Sequence, residues 1–194
     1  MIAGVVLAAG QSTRMGASKV LLALDGEPLV RRMTRRALEA GLAPVITVVG
    51  RDAGAAAGAV ADLPSVVAVN AAYADGMTTS IRCGLGHLPA EAEAAVIVFA
   101  DQPLVTVDQL RRIRSAYETG RPPVVVSSYD GVLAPPTLYR RDLFPELAAA
   151  RGDGCRKRVI RAHLETAAVL PFPASHLADV DSPEDYARLA RGAS

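Results

Sequence analysis

The sequence predicts an α/β fold, a parallel sheet covered by helices. Two observations carry this. Short runs rich in β-branched residues alternate with longer amphipathic segments. In addition, 51% of the 194 residues are apolar, enough for a sizeable core in one domain spanning 1–194.

"AGVVLA" opens the chain as a buried strand, and "LAAGQSTRMGASK", Leu7 to Lys19, follows it as a long polar loop. "PLVRRMTRRALEAG" begins with Pro28 and ends with Gly41, good helix boundaries, with Leu29, Met33 and Leu38 facing inward. Its arginines fall on the polar face and are expected to be solvated. "PVITVVG" is the next strand, "DAGAAAGAVADLP" (52–64) a weakly patterned surface helix, and "VVAVN" another strand. In "GMTTSIRCGL", Thr78, Thr79 and Ser80 can cap a helix that carries Arg82 on its first turns, and Cys83 is expected to be buried. "AAVIVFA" and "PVVVSSY" read as strands on either side of "TVDQLRRIRSAYETG", which has a Thr106 cap and Leu110, Ile113 and Tyr117 at helical spacing. "SPEDYARLAR" closes with a Ser182 cap and an acidic first turn, a favourable start for a helix.

Charge narrows the function. With 21 basic and 20 acidic side chains the net charge is +1, so nothing draws the chain generally to nucleic acid or to a membrane. "IAGVVLAAG" falls well short of the roughly 20 residues that span a bilayer. The cysteines, Cys83 and Cys155, are too few for a disulfide framework and lack paired spacing for zinc. The expected location is cytoplasmic.

The loop after the first strand lies where open α/β sheets collect ligands. Gly10 and Gly16 let backbone amides approach an anion, while Arg14 and Lys19 can balance several phosphate charges. A mere polar turn needs neither cation. The spacing is not that of a P-loop, and no G-x-G-x-x-G is present. "AAVIVFADQP" delivers Asp101 at a strand's carboxyl end, a hard oxygen ligand suited to magnesium. In "HLADVDSPEDY", Asp179 and Asp181 alternate about Val180 and are expected on one strand face.

These residues, with "LAAGQSTRMGASKVLLALDGEPLV", "NAAYADGMTTSIRCGL", "FADQPLVT", "APPTLYRRDLFPEL" and "DVDSPEDYARL", make the chain resemble the molybdenum cofactor nucleotidyltransferases over nearly its whole length. The resemblance implies a three-layer, Rossmann-like nucleotidyltransferase fold, with a mostly parallel sheet of about seven strands and one antiparallel strand. Residues to about 130 would form the nucleotide half and about 131–194 the acceptor half. It implies nucleotide contacts from Leu7, Ala8, Ala9, Gly10, Arg14, Gly16 and Lys19, and a base or ribose pocket using Ser80 and Arg82. Catalysis would fall to Lys19, Arg14 and Asp101, with Mg2+ held by Asp101 and Asp181. "LAAG" and "GMTTSIR" look more like the cytidylyltransferase branch, so CTP is expected over GTP. The implied acceptor is a molybdopterin-type phosphomonoester, with a molybdoenzyme or its chaperone as a later partner.

The family's Gly-Asp-x-Gly-x-Arg loop is one residue shorter here, at Gly152 to Arg156, which leaves Arg156 and Arg158 open as contacts for the acceptor phosphate. His87, His163 and His176 lie beside no nucleophile and read as ordinary helix or loop residues. Two other classes compete. A reductase using NAD(P)H or flavin would need a dinucleotide fingerprint that is missing, and a non-catalytic nucleotide sensor or chaperone would not need Arg14, Lys19, Asp101 and Asp181 together.

Overall fold

A computed structural model describes residues 1–11, 18–149 and 154–192. Arg14, Gly16 and the start of the Gly152 to Arg156 loop lie outside the described residues.

The elements follow in order as β1 (Ile2–Ala8), β2 (Ala23–Leu24), β3 (Glu27–Pro28), α1 (Leu29–Glu39), β4 (Val45–Val49), α2 (Ala53–Ala59), β5 (Val66–Val69), α3 (Met77–Gly86), β6 (Ala94–Phe99) and α4 (Val107–Gly120). The second half adds β7 (Val124–Tyr129), β8 (Val132–Arg140), α5 (Phe144–Ala149), α6 (Cys155–Ala162), β9 (Ala168–Phe172) and α7 (Pro183–Gly192). Seven strands form one sheet in the order β5-β4-β1-β6-β8-β7-β9. Within this sheet β8 alone runs antiparallel to its neighbours, β6 and β7, and the other pairings are parallel; β2 and β3 form a separate antiparallel pair. This is the expected α/β architecture with one antiparallel strand.

Alternation along β1 builds the layers. Ala3, Val5 and Leu7 join Ile81 of α3, Leu147 of α5, and Val159 and Ile160 of α6 on one face. Val6 and Ala8 join Met33 and Ala37 of α1 and Leu110, Ile113 and Tyr117 of α4 on the other. α3 lies close on β1 because Gly84 has no side chain: a Cβ there would stand 2.4 Å from Val5 Cγ1.

Some expectations are corrected. The α1 arginines are only in part a solvated face: Arg31 and Arg35 stay at the surface in ion pairs, while Arg32 and Arg36 turn to backbone carbonyls. Arg31 pairs with Asp62 at 2.5 Å, and Arg35 with Glu27 at 2.8 Å and with Glu39 at 2.7 Å. Arg32, only 8% exposed, donates to the Leu24 carbonyl. Arg36 donates to the carbonyls of Pro103 and Val105, each at 2.6 Å. Amphipathic spacing cannot foresee acceptors that arrive from other segments.

The Ala-rich helix covers only Ala53–Ala59. α3 starts at Met77, with Gly76 at φ +105° as its cap; Thr79 Oγ1 donates back to the Gly76 carbonyl, so Thr78, Thr79 and Ser80 lie inside the first turn. Cys83 is half-buried rather than buried. Asp179 and Asp181 are in irregular backbone, not a strand, because Val180 spends its N–H on the Asp101 carbonyl at 2.9 Å instead of entering the sheet.

β8 and β9 escaped a strand reading because both contain proline. Pro135 and Pro136 sit at the irregularity of the β7–β8 ladder beside Val126 and Ser127, where no N–H is required. Their carbonyls accept from Tyr129 Oη and Ser127 Oγ, each at 2.8 Å. Pro171 lies in β9, an edge strand that tolerates it.

Candidate active site

Three separate segments meet at the carboxyl ends of β1 and β6. The parallel pairing of Leu7 with Phe99, extended by the Ala100 N–H to the Leu7 carbonyl at 3.0 Å, brings Asp101 out of the sheet beside Ala9 and Gly10. Leu7, Ala8 and Ala9 are buried and Gly10 is exposed, so the strand ends at the surface where an anion can approach. Lys19 opens a single 3-10 turn, Lys19–Leu21, whose Val20 is buried in the core and anchors it. Asp181 arrives on the segment that leads into α7. That segment is fixed by the Val180–Asp101 bond, by burial of Val180 against Leu24 and Leu29, and by the reciprocal capping of Ser182 and Asp185.

Lys19 Nζ stands 2.5 Å from Asp101 Oδ2 and 2.9 Å from Asp181 Oδ1. The Lys19 and Asp101 side chains are 13% and 20% exposed, whereas that of Asp181 is 42% exposed. Burial alone would lower the Lys19 ammonium, but the charges and hydrogen bonds of Asp101 and Asp181 outweigh it and hold its pKa above the ordinary lysine value. The ammonium is therefore permanent at neutral pH.

A supporting shell surrounds the trio. Gln102, 2% exposed, donates through Nε2 to Asp179 Oδ1 at 2.8 Å, and its Oε1 has no hydrogen-bond partner among the described residues. Partial burial raises the Asp179 carboxyl above the usual range, and the charges of Asp101 and Asp181 add to the shift. Arg36 clasps the loop that follows Asp101. On the β4 side, Arg51 donates to the Gln11 carbonyl at 2.7 Å, and Gln11 Nε2 to the Ala74 carbonyl at 2.9 Å, fixing the exit from β1.

Lys19, Asp101 and Asp181 are thus brought together, with Leu7 to Gly10 beside them. Ser80 lies under the end of β5, 5% exposed, where it accepts from Asn70 Nδ2 at 3.0 Å. Arg82 is on an exposed side of α3, committed to the Ala148 carbonyl at 2.7 Å. Arg156, 9% exposed, lies with Cζ 4.6 Å from the Phe99 ring centre and Nε 3.4 Å from Met77 Sδ, and no carboxylate among the described residues pairs with it. The histidines have partners away from the trio: His87 the Cys83 carbonyl, His163 Glu146, and His176 Gln109. Gln102, Arg36 and Arg51 escaped sequence reasoning. Gln102 lay inside the quoted Asp-Gln-Pro, but nothing in the sequence marks it as buried.

Residues 4–167 match the MobA-like NTP transferase domain. The chain belongs to that family. Among curated relatives, purine catabolism protein PucB of Bacillus subtilis (strain 168) is 30% identical over 202 residues, covering 98% of this chain and 97% of PucB. Rv0371c from Mycobacterium tuberculosis H37Rv superposes with a TM-score of 0.88 at 30% identity, covering 98% of this chain and 97% of that one. A second structure of Rv0371c, in complex with manganese, has a TM-score of 0.80 at 28% identity, covering 98% of each chain. A nucleotidyl transferase from Methanothermobacter, at TM-score 0.85 and 22% identity over 100% of this chain and 97% of that one, shares the fold.

The oxygen donors fit a small hard divalent ion. Two carboxylates already converge on one cation, and no group of three or more His, Cys, Asp or Glu is gathered among the described residues. One or two carboxylates completed by substrate phosphates and water is the usual habit of magnesium. No helix among the described residues is long and apolar enough to cross a membrane.

Proposed function

We propose that this nucleotidyltransferase moves a nucleoside monophosphate group, CMP in preference to GMP, from its triphosphate to a molybdopterin-type phosphomonoester. A phosphomonoester oxygen attacks the α-phosphorus in line, the bond from that phosphorus to the β-phosphate oxygen breaks, and pyrophosphate leaves. The nucleophile is already ionised near neutral pH, so no general base is required. Catalysis rests on positioning and on neutralising charge.

The observation that carries this reading is Lys19 held between Asp101 and Asp181 at the mouth of β1 and β6. Lys19 stabilises charge at the α-phosphate, and Arg14, with the backbone from Gly10 to Gly16, holds the departing phosphates. Asp101 and Asp181 would hold Mg2+, which supplies Lewis acidity toward phosphate oxygens when bound. Ser80 and Arg82 belong to the base and ribose side within the nucleotide half, to about residue 130, and the acceptor rests on the remainder of the chain. Arg156, a buried guanidinium that pairs with no carboxylate among the described residues, would receive the acceptor phosphate, with Arg158 as the alternative. The CTP preference rests on the likeness of "LAAG" and "GMTTSIR" to cytidylyltransferases.

A thermal-shift panel of the common nucleoside triphosphates with magnesium tests the nucleotide side, since a ligand of the native state raises the melting temperature. CTP is expected to stabilise most. No shift with any triphosphate overturns the reading, and a larger shift with GTP moves the base preference to guanine.

A further inference from the structure

We propose that the Lys19 ammonium keeps the divalent-ion position closed in the free protein, and that a nucleoside triphosphate opens it by drawing the ammonium away. Metal and nucleotide then enter together rather than independently. The inference rests on the reading of Asp101 and Asp181 as the metal carboxylates.

Both carboxylates spend an oxygen on the same ammonium, at 2.5 Å and 2.9 Å. A divalent ion held by both would have to take the place the ammonium fills, or stand against it with like charge. The Lys19 and Asp101 side chains are only 13% and 20% exposed, so water and salt screen that repulsion poorly. The backbone of Lys19 is anchored by buried Val20, and Lys19 directly follows the glycine-containing loop expected to cradle phosphates. Rotation about its flexible four-carbon stem therefore suffices to exchange a carboxylate for a phosphate partner. Departure of the ammonium removes a positive charge from beside Asp101 and Asp181, and a divalent cation is the natural replacement for it. Because coupling between two ligands is reciprocal, each should strengthen the binding of the other.

Manganese(II) alone, added to the nucleotide-free full chain and followed by the electron paramagnetic resonance of the free ion, reads the closure directly. Lys19→Met is expected to bind manganese at least about tenfold more tightly than the wild type, and Asp101→Asn in the same background to abolish the gain. Lys19→Arg, which keeps the charge, should show no gain, and Lys19→Gln provides a second neutral variant whose folding is checked by its melting temperature. Equal or weaker manganese binding by the neutral variants overturns the inference, as does a gain in Lys19→Arg. Absence of Asp101-dependent binding in every variant removes the metal site itself and the inference with it. In the wild type, manganese at a concentration that raises the melting temperature strongly beside CTP should barely raise it alone; an equal shift from manganese alone contradicts the closure.

Discussion

The backbone N–H of Val180 donates to the carbonyl of Asp101 at 2.9 Å, joining two residues that lie far apart in the sequence. One bond thereby fixes the spacing of the two carboxylates: Asp101 is its acceptor residue, and Asp181 immediately follows its donor. The buried Val180 side chain holds the donor in place against Leu24 and Leu29. The Lys19 ammonium completes the arrangement from a third segment.

Asp101→Asn keeps the shape of the side chain and removes its charge. Turnover is expected to fall about a hundredfold or more, since electrostatic contributions of this kind are typically that large, while the melting temperature stays near that of the wild type. Equal turnover at saturating magnesium would take Asp101 out of the metal site.

Lys19→Met keeps an apolar stem and deletes the ammonium. If the charge acts at the α-phosphate, turnover falls more than nucleotide affinity, because charge there counts most in the transition state. Steady-state kinetics with a direct binding measurement separates the two. Lost affinity with retained turnover would place Lys19 in ground-state binding.

Arg36→Met leaves the Pro103 and Val105 carbonyls without their donor and frees the loop that follows Asp101. Lost hydrogen bonds from a charged group cost about 1.5–3 kcal/mol. At about 2–4 °C per kcal/mol for a chain of this size, the melting temperature should drop by several degrees. Turnover should fall about tenfold with little change in nucleotide affinity if Asp101 acts as proposed and is misplaced by the freed loop.

Glu27 gives a pH signature away from the site. Its hydrogen bonds from Arg35, reinforced by the charges of Arg35, Arg32 and Arg31, hold its carboxyl below the ordinary range against the opposing effect of burial. A depressed native pKa contributes stability that is fully present above the unfolded value, about 4.3, and is lost as pH falls through the native one. Urea unfolding of Glu27→Gln should show a deficit against the wild type that is constant from pH 6 to 8 and shrinks below about pH 4.5. A deficit that does not change with pH would mean that packing, not the ion pair, is what Glu27 contributes.

The strands that carry chemistry were readable because they are continuous apolar runs ending in charged residues. β1 ends at Ala8, two residues before Gly10, and β6 at Phe99, two residues before Asp101, and in both cases the loop residues mark themselves. β8 and β9 were not readable, since Pro135, Pro136 and Pro171 look like breaks until the ladder irregularity and the sheet edge that accommodate them are known. The alternation of Asp179 and Asp181 about Val180 suggests one strand face, yet here the pattern comes from irregular backbone pinned at a single bond, with Val180 buried. Arg36 and Gln102 were hidden for another reason. Their partners come from distant segments, and local periodicity says nothing about those.

Transfer of a nucleotidyl group at the Lys19, Asp101 and Asp181 constellation, as proposed, is read from the rate of pyrophosphate release with magnesium and a molybdopterin-type phosphomonoester. Release from CTP is expected to be at least about tenfold faster than from GTP, a margin of roughly 1.4 kcal/mol in activation free energy, and to depend on the acceptor. A faster reaction with GTP would contradict the cytidylyl assignment and keep the chemistry. Absence of pyrophosphate from every triphosphate, with every pterin phosphomonoester tried, would contradict the proposed transfer to that acceptor class.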